Sequence, residues 1–171
     1  YARAVALDGA TGRMLWNFDP DVTRWGPNSS PHSVYSHRGV AVWRDTVGRR
    51  VFLAARSRLW ALDAASGRPI PSFGRDGAAD LASDLLWPVN PIEVNSTSPP
   101  AIWRDMVIVG SAIGDDLIYR RDPPGHVQAF DARSGKRLWR WDPIPPPGDP
   151  ARASWGGDAA ERTGHANVWS F

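Results

Sequence analysis

One seven-residue pattern occurs three times in this chain and limits its fold more than any other feature. It reads Ala6-Leu7-Asp8-Gly9-Ala10-Thr11-Gly12 followed by Trp16, then Ala61-Leu62-Asp63-Ala64-Ala65-Ser66-Gly67, then Ala129-Phe130-Asp131-Ala132-Arg133-Ser134-Gly135 followed by Trp139. The copies start at 6, 61 and 129, so they lie 55 and 68 residues apart. Each copy spells a hairpin. A strand ends at Asp, whose carboxylate accepts turn N–H groups, Ser or Thr adds a hydroxyl, and Gly takes the positive φ before the next strand. Trp anchors the outgoing strand in the outer copies. The middle copy has Pro71 there, with Phe73 nearby, so its edge must be filled differently.

A second repeat precedes two of these hairpins: Val40-Ala41-Val42-Trp43-Arg44-Asp45 and Pro100-Ala101-Ile102-Trp103-Arg104-Asp105. Apolar runs follow, Val51-Phe52-Leu53-Ala54-Ala55 and Met106-Val107-Ile108-Val109-Gly110. Each unit therefore has four strands, A to Trp43 or Trp103, B from Val51 or Met106, C through the Ala-x-Asp, and D after the Gly. Four-stranded antiparallel units at such a period are propeller blades. The expected architecture is all-β, a partial β-propeller in which residues 1–18 end one blade, 38–74 and 97–142 form two complete blades, and 167–171 begin another. Such a set cannot close a ring, so the chain is expected to be an internal fragment, marginal or aggregation-prone alone.

Composition agrees with short strands and many turns: 16 Gly, 16 Pro and 10 Trp, with no long amphipathic helix. The net charge is only +2, with 20 basic residues dispersed among 18 acids, which argues against nucleic acid as a partner. With no Cys, neither a disulfide framework nor a thiolate metal site is available.

Connection lengths are lopsided. The A–B and C–D turns are tight, whereas the D–A connections, about Asp19 to His37, Gly74 to Ser96 and Asp142 to Ala166, are long. The span from Trp103 to Asp131 exceeds that from Trp43 to Asp63 by 8 residues, around Asp115 to Pro124. All the elaboration falls on one face, where a site is expected.

Four segments in order, Arg38-Gly39-Val40-Ala41-Val42-Trp43, Ala61-Leu62-Asp63 through Pro71-Ser72-Phe73-Gly74, Thr97-Ser98-Pro99-Pro100 and Gly164-His165-Ala166-Asn167-Val168-Trp169-Ser170, resemble the pyrroloquinoline quinone (PQQ) dependent dehydrogenases. These are eight-bladed propellers, and the likeness is greatest to the branch around membrane glucose dehydrogenase and quinate dehydrogenase. The resemblance implies PQQ near the propeller axis, a Ca²⁺ ion on it, and oxidation of a sugar, polyol or other alcohol by hydride transfer to the quinone. It implies electron transfer to ubiquinone or a cytochrome, and a periplasmic location, with any inner-membrane attachment through a segment not in this chain.

By the same resemblance Arg38 contacts the anionic quinone, Thr97 gives a hydroxyl to a PQQ carboxylate, and Trp169, with Asn167, places an indole beneath the flat cofactor. Asp115 matches the position of a carboxylate or amide near Ca²⁺. His37 stands beside Arg38, and His32 and His37 are five apart on an irregular segment. The vicinal cysteines of some relatives are absent, the stretch here being Pro31-His32-Ser33-Val34. No catalytic residue is assigned, because the family's general base is expected beyond Phe171. Two other readings use the same repeats: a non-catalytic scaffold like the outer-membrane assembly propellers, and a sugar- or protein-binding propeller using exposed Trp.

Overall fold

The computed structural model describes residues 2–22, 37–113, 120–162 and 167–168. Among the described residues ten strands form three antiparallel sheets. Strands β1 (Ala4–Leu7) and β2 (Met14–Phe18) make a two-stranded sheet. The middle sheet is β3 (Ala41–Arg44), β4 (Arg49–Ala55), β5 (Arg58–Asp63) and β6 (Ala78–Asp80), in that order. The third is β7 (Ala101–Trp103), β8 (Met106–Val109), β9 (Val127–Asp131) and β10 (Arg137–Trp141), again in sequence order. One four-residue helix, α1 (Ala159–Arg162), lies in the connection after β10.

The repeated turns are built as their residues dictate. Asp8 Oδ1 accepts the Thr11 N–H at 2.8 Å and its hydroxyl at 2.7 Å, Asp63 does the same with Ser66, and Asp131 with Ser134. The Thr11 and Ser66 hydroxyls hold Asp8 and Asp63 below the usual carboxylate range. Burial pulls Asp131 upward, and its bonds from Ser134 and Arg133 outweigh that pull. The following Gly12, Gly67 and Gly135 have φ of 70°, 70° and 72°.

The first and middle sheets dock through the Trp that follows the first turn. The Trp16 indole N–H donates to the Ala64 carbonyl of the middle sheet at 3.0 Å, and its ring lies so close to Gly67 that an added Cβ would sit 2.5 Å from it. In the middle copy, where Trp is missing, Phe73 is fully buried against Phe52 (ring centroids 5.5 Å apart), and the Gly74 N–H donates to Ser134 O at 2.8 Å. Phe73 and Gly74 thus fill the edge that Trp fills in the first copy.

The outer strand of the middle sheet departs from the sequence expectation that it ends by Gly74. Pro69 bridges Leu62 and the Ile70 N–H reaches Ala61 O at 2.8 Å, but the chain then leaves the sheet. Pro69 and Pro71 have no N–H to continue a ladder. The strand resumes where Gly77 O accepts from Ala61 N–H at 3.0 Å, and β6 pairs Trp60 with Ala78 and Arg58 with Asp80.

Two cores result. Val51, Leu53, Ala55 and Leu62 pack with Ala4, Trp16 and Phe18 between the first and middle sheets. Phe52, Ala54, Leu59, Phe73, Val107, Val109 and Phe130 fill the space between the middle and third. β4 therefore reads as a continuous apolar run because both of its faces are covered. The tight turns share one face: Arg133, in the turn between β9 and β10, pairs with Asp45 and Asp105 at 3.4 and 3.0 Å and covers Trp43 at 4.9 Å. The starts of β3 and β7 lie at the opposite ends of those strands, with the long connections.

Candidate functional site

Sheet order brings the equivalent starts of neighbouring inner strands side by side. Arg38, three residues before β3, donates its backbone N–H to Thr97 O at 2.9 Å and its Nη1 to Thr97 Oγ1 at 3.1 Å, across 59 residues of sequence. Gly39, at φ 149°, lets the two segments close up: a Cβ there would lie 3.4 Å from the Pro99 ring. Arg38 is exposed as a residue whereas Thr97 is buried.

Thr97 sits in an unusual run. Asn95, Ser96, Thr97 and Ser98 are all buried, although each carries a polar side chain. Asn95 is fixed at both ends: its carbonyl accepts from Ala112 N–H at 2.9 Å, and its Oδ1 from Ser96 N–H at 3.0 Å. The Ser96 hydroxyl, on a residue only 2% exposed, has no hydrogen-bond partner among the described residues. A buried hydroxyl left without a partner costs about 1–3 kcal/mol, so its presence calls for an explanation.

His37 directly precedes Arg38. Its Nδ1 accepts from Gly39 N–H at 3.2 Å, which puts the proton of the neutral ring on Nε2. That Nε2 is buried and makes no hydrogen bond among the described residues. Burial lowers the His37 pKa, opposed only in part by the Ala54 backbone, so the ring is neutral at pH 7. Arg38, Thr97, Ser96 and His37 carry N–H and O–H donors, of which Arg38 and Thr97 are in side-chain contact. A donor set of that kind suits an anionic, oxygen-rich ligand such as a quinone bearing carboxylates.

Asn167 has a different setting. Its Oδ1 accepts from Ile113 N–H and its Nδ2 donates to Ile113 O, both at 2.9 Å, while Val168 bridges Ser111. Its amide therefore clasps the backbone after β8 and is engaged in holding that segment. Asp115 and Trp169 lie outside the described residues, as does His32. Among the described residues no group of three His, Asp or Glu side chains is placed to hold a metal ion.

A buried polar network in the third sheet went unread in the sequence. Fully buried His126 donates from Nδ1 to Pro124 O at 2.8 Å, and its Nε2 accepts from Gln128 Nε2 at 2.7 Å. The other Gln128 N–H goes to Leu81 O at 2.9 Å, and its Oε1 accepts from Arg137 at 3.1 Å. Only a neutral imidazole satisfies this arrangement. Burial, the largest influence, brings the His126 pKa down to about 4.

The PQQ glucose/ethanol/alcohol dehydrogenase β-propeller domain model matches residues 1–171. The chain is 31% identical over 153 residues to the quinoprotein glucose dehydrogenase of Gluconobacter oxydans (strain 621H), covering 83% of this chain and 19% of that protein. It is 34% identical over 152 residues to the quinohemoprotein alcohol dehydrogenase ADH IIB of Pseudomonas putida, covering 88% and 19%. The crystal structure of quinohemoprotein alcohol dehydrogenase from Comamonas testosteroni superposes with a TM-score of 0.60 at 28% identity, over 87% of this chain and 19% of that one. The chain thus spans about a fifth of the length of the relatives it matches. With that domain model matching it from end to end, this chain belongs to the PQQ-dependent dehydrogenase family, within its β-propeller domain.

Proposed function

We propose that the protein containing this chain is a PQQ-dependent dehydrogenase that oxidises an alcohol or sugar, and that Arg38 and Thr97 form part of the wall that holds the quinone. The observation that carries this reading is the Arg38–Thr97 contact, which joins two neighbouring sheets at the elaborated face beside a buried hydroxyl without a partner among the described residues.

When bound, PQQ supplies the chemistry, accepting a hydride from the substrate carbon. The residues of this chain bind and orient. Arg38 brings a planar, permanently charged fork to an anionic oxygen, and its bond to Thr97 limits how far that fork can swing. Thr97 accepts from Arg38 and still has its own O–H proton to donate. Neutral His37 offers an Nε2–H without adding a second full charge. Removal of the substrate's hydroxyl proton is not assigned to any residue here. Ca²⁺ belongs to the proposal through Asp115, and ubiquinone or a cytochrome as electron acceptor and the periplasm as location belong to it through the family alone. A non-catalytic scaffold has no use for buried donors at this face.

The test is PQQ titration of the full-length apoprotein, followed by absorbance and by dye reduction with an alcohol or glucose. Arg38→Gln should weaken PQQ binding about 10- to 100-fold, the scale of a lost hydrogen bond to a charged group, and Thr97→Ala by less. Activity indifferent to added PQQ would refute the reading.

A further inference from the structure

The connections on the elaborated face also meet around a cavity that includes neither Arg38 nor Thr97. Its volume is about 310 Å³, within the range in which proteins hold small organic ligands. The segment between β6 and β7 contributes Leu86 and Trp87, the link between β8 and β9 contributes Arg121, and the segment after β10 contributes Pro147, Arg152 and Glu161. Three separate stretches of chain thus line one cavity.

Their positions are fixed by hydrogen bonds to one another. The Trp87 indole N–H donates to Asp122 O at 2.9 Å, tying the first stretch to the second. The Arg121 backbone N–H donates to Arg162 O at 2.9 Å, tying the second to the third. Arg152 donates to Pro145 O at 2.6 Å and lies 3.5 Å from Glu161. The cavity therefore has a defined shape before any ligand arrives.

Its chemistry is divided. Trp87, Leu86 and Pro147 offer apolar and aromatic surface, which suits a ring. Arg152 already has a carbonyl and a carboxylate. Arg121 has neither, since its guanidinium makes no hydrogen bond, ion pair or ring contact among the described residues. Two guanidinium groups and one carboxylate line the cavity, so it has a positive excess, and the unengaged fork matches a carboxylate's two oxygens.

We infer that this cavity binds a small cyclic carboxylate, with its ring against Trp87 and its carboxylate on Arg121. Glu161 accepts a hydrogen bond from a ring hydroxyl where the ligand has one. The inference does not depend on the quinone reading, because the two use different residues.

The test uses the full-length protein and three probes, benzoate, cyclohexanecarboxylate and benzamide, followed by ligand-observed NMR and calorimetry. Both carboxylates should bind, and benzamide, which keeps the ring but not the charge, should bind at least about tenfold more weakly. Arg121→Gln should reduce benzoate to the level of benzamide while leaving PQQ affinity unchanged. Equal binding of benzoate and benzamide, no binding of either up to about 10 mM, or unchanged benzoate affinity in Arg121→Gln would overturn the inference. Displacement of benzoate by PQQ would also overturn it, by making the cavity part of the quinone site. The comparison of probes needs no variant, so it decides the matter even where Arg121→Gln fails to fold.

Discussion

The middle and third sheets are built from the same repeated sequence, yet Trp43 is 4% exposed and its counterpart Trp103 is 53% exposed. Trp43 donates its indole N–H to Arg104 O at 3.0 Å and lies under Arg133, both from the following sheet. Among the described residues Trp103 has its own neighbour Arg104 over its ring, at 4.4 Å. The same contrast runs along the strands: β4 is buried on both faces, whereas β8 alternates, with Val107 and Val109 buried and Met106 and Ile108 partly exposed. A repeat's sequence therefore specifies what a residue is suited to contact, and its neighbour along the chain decides whether the contact exists.

The strongest way to break this comparison is to truncate the two indoles. In the 171-residue chain Trp43→Ala should abolish cooperative urea unfolding or lower its midpoint sharply, and Trp103→Ala should cost no more than about 1 kcal/mol. Equal losses would show that the two positions are not distinguished by their coverage. In a longer chain carrying a fourth sheet, the Trp103 value should rise towards that of Trp43.

A second difference is chemical. At the position of β9 that matches Trp60 of β5, the third sheet has Gln128, bonded to buried His126. His126 binds its proton less readily folded than unfolded, so stability is complete above pH 6.5 and falls as pH drops towards 4. The loss should reach about 3 kcal/mol, from roughly 1.4 kcal/mol per pKa unit. Unfolding measured between pH 7 and pH 4 checks this, and His126→Gln should flatten the profile. A wild-type profile already flat across that window would remove His126 from the account.

The smallest effect separates two turns of one design. Gly12 and Gly67 share a φ of 70°, but an added Cβ meets nothing at Gly12 and the Trp16 ring at Gly67. Gly12→Ala should cost about 1–2 kcal/mol for the left-handed backbone alone. Gly67→Ala should cost more and should also change the fluorescence of Trp16. Identical costs would mean that the indole moves aside freely.

The hairpins were readable from the sequence because all their determinants lie within seven residues: the Asp, the hydroxyl and the Gly act on each other directly. Strand order followed from the repeat. The path of β6 did not, because Pro69 and Pro71 interrupt a strand that resumes after Gly77, and the pattern offers no sign of where it will resume. The approach of Arg38 to Thr97 depends on two strand starts 59 residues apart, and family likeness pointed to both residues without supplying the contact between them. The network of His126 and Gln128 left no trace, since polar residues in a strand read as solvent-facing until the neighbouring connection covers them. Asn167 shows the converse: a resemblance to a cofactor region marked it, and its amide clasps Ile113.

Four side chains join an earlier sheet to a later one, while others, such as Gln128 and Arg133, reach back. Trp16 donates to Ala64, Arg38 to Thr97, Trp43 to Arg104, and Arg50 to the carbonyls of Ala132 and Arg133, each from an earlier sheet to a later one. During synthesis from the N-terminus, every such donor emerges before its acceptor exists. Each sheet then matures one step behind the ribosome, and a stall between sheets would leave a row of unmatched indoles and guanidinium groups for chaperones to find.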